Sequence, residues 1–171
     1  MPAEQIRSAI EDAIGYLTVH PEEAAYTDSV AVALLGDNLH CRVEGPAGET
    51  LDTDMPASIG GSGAAPSPGW FLRAAMASCV ASLIAMRAAM EEIQLSTVEV
   101  SVESDSDDRG ILGLSDGVPA GPLASRVLVR LAASGADADE LRSVAEWAVE
   151  HCPVTDAVSR AVPLTTAVEL A

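Results

Sequence analysis

The most constraining feature of the sequence is a long uncharged run held between two arginines. The thirteen residues of Ala74–Met86 carry no charge, and Arg73 and Arg87 flank them. The run is rich in good helix formers, and Ser67-Pro68 stand before it as at a helix start. Because no side of its middle is polar enough to face water, we predict a helix over Gly69–Glu92 that is buried on nearly every face. A bilayer span needs about 20 apolar residues, so the run is too short for one.

Composition and charge limit the possible partners. The chain has 171 residues and a formal charge of −17, from 26 acidic against nine basic residues. This balance argues against nucleic acid or an anionic membrane as a partner, and leaves neutral or apolar molecules free to approach. Three cysteines do not make a disulfide scaffold, and the acidic, amphipathic N-terminus does not resemble a signal peptide. We therefore predict a cytoplasmic protein.

Residue periodicity predicts an α+β fold in which antiparallel sheet packs against two main helices. The amphipathic stripe Ile6, Ile10, Ile14 and Leu17 predicts a first helix over residues 3–19. Strands are predicted over Ser29–Leu35 and Leu39–Glu44, joined by a turn at Gly36-Asp37-Asn38, and a short strand over 49–52. A loop over 56–69 leads into the central helix, which is followed by a strand over Thr97–Ser104, a loop over Asp105–Pro122 and a strand over Ser125–Ala132. The last predicted elements are a helix over Asp137–His151, a short helix from Pro153 and a strand over Leu164–Leu170.

Two of the three cysteines occupy positions that suit chemistry. Cys79 lies in the middle of the uncharged run, and Cys152 follows His151 and precedes Pro153 at a helix boundary. The amides that open the next helix favour an anion, which would lower the pKa of the Cys152 thiol below its usual value of about 8.5. The two thiols are either inert packing or an attacking and a resolving thiol. Cys41, on a predicted strand, is interpreted as structural.

Metal and nucleotide cofactors are not indicated by the sequence. There is no Cys-x-x-Cys motif, and His20, His40 and His151 show no spacing typical of metal ligands. The Gly60–Gly63 run is not followed by the Gly-Lys-Ser/Thr of a phosphate-binding loop. We expect no cofactor.

The motifs in their order resemble the OsmC/Ohr superfamily. The resemblance is carried by a Gly-Gly loop, Ser67-Pro68, the apolar helix with Ala77-Ser78-Cys79, the strand VEVSVES, the loop Asp108-Arg109-Gly110 and the sequence His151-Cys152-Pro153-Val154. It begins at about residue 28, so we predict an accessory N-terminal helix in residues 1–25 and an OsmC-like domain in residues 26–171. The resemblance implies an intertwined homodimer in which antiparallel sheets wrap around two central helices, with two sites at the subunit interface. The best-known members are cysteine-based peroxidases that reduce organic hydroperoxides and are recycled by dithiols.

The resemblance implies a role for each cysteine, and the sequence departs from the peroxidase pattern beside them. Cys79 matches the peroxidatic cysteine and Cys152 the resolving one. Peroxidases of the superfamily carry a Glu directly after the proline that opens the cysteine helix, where this chain has Gly69. They also carry an Arg that holds the cysteine as thiolate, and no Arg occurs between residues 54 and 68. Arg42, on a strand, and Arg73, on the helix itself, are possible replacements. Arg73 fits poorly, because six residues of helix turn its side chain about 120° away from that of Cys79.

Two hypotheses about function follow, one in which the protein is an enzyme and one in which it only binds a ligand. In the first, the chain is an OsmC-like redox protein of oxidative stress defence. Cys79 and Cys152 then reduce a hydrophobic hydroperoxide at the expense of a dithiol, with pocket walls from Trp70, Phe71, Met76 and Met86. In the second, it is a non-catalytic homodimer that binds an apolar small molecule at the subunit interface, with both cysteines as packing. Retention of both cysteines favours the first hypothesis, and the missing Glu and Arg favour the second.

Overall fold

The protein is described by a computed structural model that covers residues 3–170; Met1, Pro2 and Ala171 lie outside the described residues. The helices and strands, in chain order, are α1 (Ala3–Val19), β1 (Val32–Leu35), β2 (Cys41–Glu44), β3 (Thr50–Thr53), α2 (Pro68–Met90), β4 (Leu95–Asp105), α3 (Asp108–Ile111), β5 (Ala124–Ala133), α4 (Ala138–Glu150) and α5 (Pro153–Ser159). Short 3₁₀ turns lie at Pro21–Glu23 and Ala57–Ile59. The predicted α+β class is confirmed.

The described chain divides into two compact units. The first holds residues 3–7, 76–102 and 125–170, and the second holds residues 8–75 and 103–124. The unit boundaries cross α1, α2 and β4 and fall after the first residue of β5, so these four elements contribute to both units. The boundary that we predict between an accessory helix and the main domain, after residue 25, stays a prediction.

The second unit contains a three-stranded antiparallel sheet in the order β1-β2-β3. Leu35 is paired with Cys41, and Cys41 is paired in turn with Thr53. The predicted turn between β1 and β2 is confirmed: the Gly36 amide donates to the His40 carbonyl at 2.8 Å. Asn38 has a φ of 56°, a left-handed conformation that Asn adopts more readily than most residues.

The first unit is built around α2 and α4. Met76, Val80, Ile84 and Ala88 recur every four residues along α2 and form a buried stripe. Val80, Ile84 and Ala88 form one buried cluster with Val144, Ala148 and Cys152. The cluster is covered by partly buried residues that include Leu95 and Val100 of β4 and Val129 and Leu131 of β5. β4 and β5 form a two-stranded sheet, to which Arg130 contributes an ion pair with Glu99.

Within one chain, α2 is less buried than predicted. Its buried residues lie on one stripe plus Ala89, and Met86 is 37% exposed. An apolar helix side left open to water is unfavourable in a soluble protein, and a second subunit would remove that cost. By length and composition alone, α2 could also span a bilayer, but core helices of soluble proteins meet the same test.

The predicted strand over Leu164–Leu170 is wrong. This segment has no regular secondary structure, and the side chains of Leu164 and Leu170 are 92% and 93% exposed. Alternating apolar residues form a strand only where another strand pairs with them, and no described strand of the chain pairs with this segment.

Deleting residues 1–20 is expected to leave a folded protein of reduced stability. The helix over residues 3–19 is confirmed, but none of its side chains is fully buried, and Ile14 and Leu17 are 55% and 40% exposed. The deletion also removes the ion pair between Arg7 and Glu92. Circular dichroism and urea unfolding of the truncated chain test this expectation. Complete loss of folding would place the helix in the core and contradict the predicted domain boundary.

Candidate functional site

Cys79 and Cys152 are both in the first unit, on elements that the core holds in place. Cys79 lies on α2 directly before the buried Val80, and its side chain is half-buried. Cys152 is fully buried and is the N-cap residue of α5. Pro153 explains why Cys152 lies between two helices. A proline has no backbone N–H to donate within α4, but it fits the first turn of a new helix.

The two thiols meet. The side chains of Cys79 and Cys152 are hydrogen-bonded to each other, and both are reduced. The backbone amide of Val154 donates to both sulfurs, and the amide of Thr155 donates to Cys152. The start of α5 therefore supplies fixed donors to this thiol pair. Sequence spacing alone cannot show such a contact between residues 73 positions apart in the chain.

The environment moves the two thiol pKa values in opposite directions. Burial raises the pKa of Cys79, and so do its hydrogen bond to Cys152 and the negative charge that Cys152 can carry. Burial also acts to raise the pKa of Cys152, but hydrogen bonds from the Thr155 amide and the Cys79 thiol outweigh it, so that this pKa is lowered. No arginine among the described residues contributes to either shift. Of the two thiols, Cys152 is therefore the one whose surroundings favour the thiolate.

His151 does not serve the thiol pair, although it is adjacent to Cys152 in the sequence. Its ring stacks on Trp147 with 4.3 Å between ring centroids, and its Nδ1 lies 2.8 Å from the Trp147 carbonyl oxygen. The guanidinium of Arg87 lies 5.2 Å from the centroid of the same Trp147 ring. This stack of side chains stabilises the end of α4.

Arg42 forms ion pairs with two acidic residues of the second unit. Its Nε donates to Glu44 at 2.7 Å, and a second guanidinium nitrogen lies 3.9 Å from Asp52. The hydrogen bond to Glu44 and the charges of both carboxylates raise the pKa of Arg42. Its suggested action on Cys79 stays a prediction. Cys41, beside it on β2, is a half-buried free thiol.

The four residues predicted to line a substrate pocket differ in exposure. Trp70 is 48% exposed and contacts Phe71 edge to face, with 5.3 Å between ring centroids. Met76 is buried in the α2 stripe, and Met86 is 37% exposed. Their role in substrate binding stays a prediction. Within residues 3–170, no three His, Cys, Asp or Glu side chains are grouped so that they could hold a metal ion.

Asp54 is a buried residue that the sequence analysis missed. Its side chain is 1% exposed and accepts hydrogen bonds from the Met55, Ser62 and Ala64 amides at 2.7, 3.1 and 3.0 Å, and from the Ser62 hydroxyl at 2.5 Å. These bonds, above all that from the Ser62 hydroxyl, lower the pKa of Asp54 from 3.8 to about 2. The available signal was an acidic residue placed directly before a loop of small residues. Asp54 fixes the shape of the loop that leads into α2.

Replacing Asp54 by Asn is expected to destabilise the protein at neutral pH and to remove part of its acid sensitivity. A folded-state pKa below the unfolded value means that Asp54 contributes stability above about pH 4. That contribution is lost as the pH falls through about 2. Urea unfolding of wild type and variant between pH 7 and pH 2 measures the difference, with Asp37→Asn in the β1–β2 turn as the control. Equal stability of Asp54→Asn and wild type at pH 7 would contradict the role of the carboxylate.

Comparison with known proteins identifies the family. A model of the OsmC-like protein family matches residues 61–167, which is more than half of the chain and includes both Cys79 and Cys152. The chain belongs to the OsmC-like family. No match was found among curated proteins.

Solved structures of this family share the fold of the chain. An organic hydroperoxide resistance protein OsmC from Legionella pneumophila is 27% identical, with a TM-score of 0.58 over 78% of this chain and 90% of that one. An organic hydroperoxide resistance protein from Vibrio cholerae, with captopril bound in one active site, is 25% identical, with a TM-score of 0.52 over 79% and 86%. An OsmC-like protein from Mycoplasma pneumoniae has a TM-score of 0.66 over 79% and 89%, and its 11% identity shows the fold alone.

Proposed function

We propose that this OsmC-like protein is a thiol-dependent redox protein that reduces hydrophobic organic hydroperoxides through Cys79 and Cys152. The observation that carries the proposal is the hydrogen bond between the two thiols. Two free thiols in contact beside the amides that open α5 are what an attacking and a resolving thiol require in order to form a disulfide. The similarity to the hydroperoxide resistance proteins of Legionella and Vibrio supports the same class of chemistry.

The difference in burial between the thiols supports Cys79 as the attacking thiol. A hydroperoxide must reach the reacting sulfur, and Cys79 is partly exposed whereas Cys152 is fully buried. The raised pKa of Cys79 means that this thiol is protonated when the substrate arrives. Cys152, with its lowered pKa, is the group within reach that can accept the proton. Cys152 thus supplies a base in a chain that lacks the usual Glu and the loop Arg.

The proposed cycle has three steps. First, the Cys79 sulfur attacks a peroxide oxygen and the O–O bond breaks. The sulfur is oxidised to a sulfenic acid, and the thiol proton passes by way of Cys152 to the leaving alkoxide, which departs as an alcohol. Second, the Cys152 thiolate attacks the Cys79 sulfur, the S–S bond forms, and the S–O bond breaks to release hydroxide, which is protonated to water. Third, an external dithiol reduces the disulfide and is itself oxidised to a disulfide.

Steady-state turnover separates this proposal from the alternative of a non-catalytic binding protein. Wild type and Cys41→Ser are both expected to consume cumene hydroperoxide in the presence of excess dithiothreitol, at rates that saturate with hydroperoxide. Cys41 is the matched control, since it is a free thiol outside the proposed pair. Consumption no faster than with dithiothreitol alone would overturn the redox proposal and favour the binding protein.

The protein is expected to form a homodimer. Within the first unit, Met86 of α2 and the C-terminal Leu164 and Leu170 are between 37% and 93% exposed in a single chain. Apolar side chains in such numbers mark an interaction surface, and a second copy is the partner that the family resemblance implies. Multi-angle light scattering at low micromolar concentration checks the state. A stable monomer would contradict this expectation.

A further inference from the structure

Thr155 connects the end of α4 to the start of α5. Its hydroxyl oxygen lies 2.6 Å from the carbonyl oxygen of Val149, in the last turn of α4, and 2.9 Å from the carbonyl oxygen of Cys152. The last carbonyl groups of a helix have no partner within the helix, and this hydroxyl supplies one. Thr155 is half-buried, and its side chain ties Cys152 to α4.

The Thr155 hydroxyl has more acceptors within reach than it has protons. Besides the two carbonyl oxygens, the sulfur of Cys152 lies within hydrogen-bond reach of it. A hydroxyl group has one proton to donate, so it serves one of these three acceptors at a time. Hydrogen bonds to a charged acceptor are about twice as strong as those between neutral groups. The proton should therefore turn to the sulfur when Cys152 is a thiolate, and to a carbonyl oxygen when Cys152 is in a disulfide.

We propose that Thr155 assists the thiol pair: its hydroxyl holds Cys152 in place against α4 and donates to the sulfur in the thiolate state. This role rests on the proposed function, in which the Cys152 thiolate attacks the Cys79 sulfur. Burial acts to raise the pKa of Cys152, and the Thr155 hydroxyl makes one of the hydrogen bonds that together lower it. A larger fraction of thiolate at neutral pH makes the disulfide form faster.

The same hydrogen bond should assist the reduction of the disulfide. Cys79 is partly exposed and Cys152 is fully buried, so an incoming dithiol reaches the Cys79 sulfur first. A thiolate of the dithiol attacks that sulfur, the S–S bond breaks, and its electron pair goes to the Cys152 sulfur, to which the Thr155 hydroxyl donates. The second thiol of the reductant then displaces Cys79 from the mixed disulfide, and the dithiol leaves oxidised. A thiolate of lower pKa leaves faster, so Thr155 assists both halves of the cycle.

The charged and titratable neighbours of Cys152 leave Thr155 as a separate contribution. From α2, the neighbour is the Cys79 thiol, and the residues of β4 and β5 that cover the cluster containing Cys152 are apolar. The ring of His151, at the end of α4, belongs to the stack described above, and Asp156 of α5 is paired with Arg160 at 2.5 Å. The Thr155 hydroxyl can thus be removed without changing any charge near the sulfur.

Ultraviolet titration of the Cys152 thiolate tests this role without turnover. In a Cys41→Ser, Cys79→Ser background, Cys152 is the only thiol of the chain, and the absorbance of its thiolate reports ionisation even of a buried side chain. The same protein with Cys152→Ser is the blank. Thr155→Val keeps the shape of the side chain and removes the hydroxyl. At a pH below the midpoint, its thiolate fraction is expected to fall by about 10-fold, the effect of one hydrogen bond to a charged group.

Thr155→Ser and Thr18→Val are the matched controls. Thr155→Ser retains a hydroxyl and should titrate as the background does. The hydroxyl of Thr18, in α1, donates to the Ile14 carbonyl oxygen at 2.6 Å, and Thr18→Val should leave the titration unchanged. In the chain with all three cysteines, single-turnover disulfide formation at neutral pH should be slower in Thr155→Val and normal in Thr155→Ser.

An unchanged titration in Thr155→Val, or an equal shift in Thr155→Ser, would overturn the role of the hydroxyl. If Thr155→Val does not fold, as judged by circular dichroism, Thr155→Ala takes its place, and an unchanged titration would again overturn the role. A shift that Thr155→Ser does not show supports the hydroxyl as donor, whether or not the wild type consumes hydroperoxide. Failure of this role and failure of the redox proposal therefore give different results.

Discussion

Replacing Cys79 by serine is expected to abolish hydroperoxide reduction. The serine hydroxyl is not ionised at neutral pH and cannot be oxidised to a sulfenic acid, so neither bond formation nor resolution takes place. The variant is expected to fold, because Ser and Cys are close in size and Cys79 is only partly buried. Consumption of cumene hydroperoxide with dithiothreitol measures the effect, and Cys41→Ser should retain the wild-type rate. Residual turnover above a few per cent of wild type would contradict the assignment of Cys79 as the attacking thiol.

Replacing Cys152 by serine tests the base that we assign to this residue. The first turnover, measured as sulfenic acid formation on Cys79, should slow by roughly 100-fold or more, a usual effect of losing a general base. In wild type, the rate should rise with pH through the pKa of Cys152, which hydrogen bonds from Thr155 and Cys79 lower from the ordinary thiol value. In the variant it should rise only above that value, because burial raises the pKa of Cys79. An unchanged pH profile would show that Cys152 resolves the sulfenic acid without acting as the base.

Replacing Ile84 by alanine is expected to give the largest loss of stability. Ile84 is 0% exposed and lies in the cluster with Val144, Ala148 and Cys152. Removing its buried methyl and methylene groups should lower the free energy of unfolding by about 2–5 kcal/mol. The control is Ile14→Ala on α1, where 55% exposure should limit the loss to about 1 kcal/mol or less.

Urea unfolding at one protomer concentration compares the two isoleucine variants, since dimerisation would make stability concentration-dependent. Equal losses at Ile84 and Ile14 would contradict the position of the core. The same Ile84 variant should also slow hydroperoxide reduction, because α2 carries Cys79 and packs on the cluster that contains Cys152.

Local sequence patterns were sufficient to predict helices and strands whose apolar residues recur at regular spacing. The uncharged run with its preceding proline predicted the central helix at residues 69–92, and α2 is Pro68–Met90. The alternation in VEVSVES predicted β4, and Pro153 predicted the break between α4 and α5. The four-residue helix α3 was missed inside a predicted loop, although Asp107 caps it by accepting from the Arg109 amide. A single capped turn has too few residues for its periodicity to stand out from a loop.

What the sequence could not predict are contacts between distant segments. The pairing of Cys79 with Cys152 depends on how α2 packs against the junction of α4 and α5, and no local pattern specifies that packing. The strand predicted over Leu164–Leu170 failed for the same reason, since alternation does not supply a neighbouring strand. Asp54 was missed because its importance comes from the loop that folds back over it, with Ser62 eight residues further on.

The most direct test of the central claim is to identify the disulfide formed in a single turnover. The reduced protein, freed of dithiol, is treated with one equivalent of cumene hydroperoxide, and the remaining thiols are alkylated. Peptide mass spectrometry then locates the bond. We predict a disulfide between Cys79 and Cys152 within each chain, with Cys41 alkylated and one equivalent of alcohol released. Full alkylation of Cys79 and Cys152 with the hydroperoxide unconsumed would contradict the account.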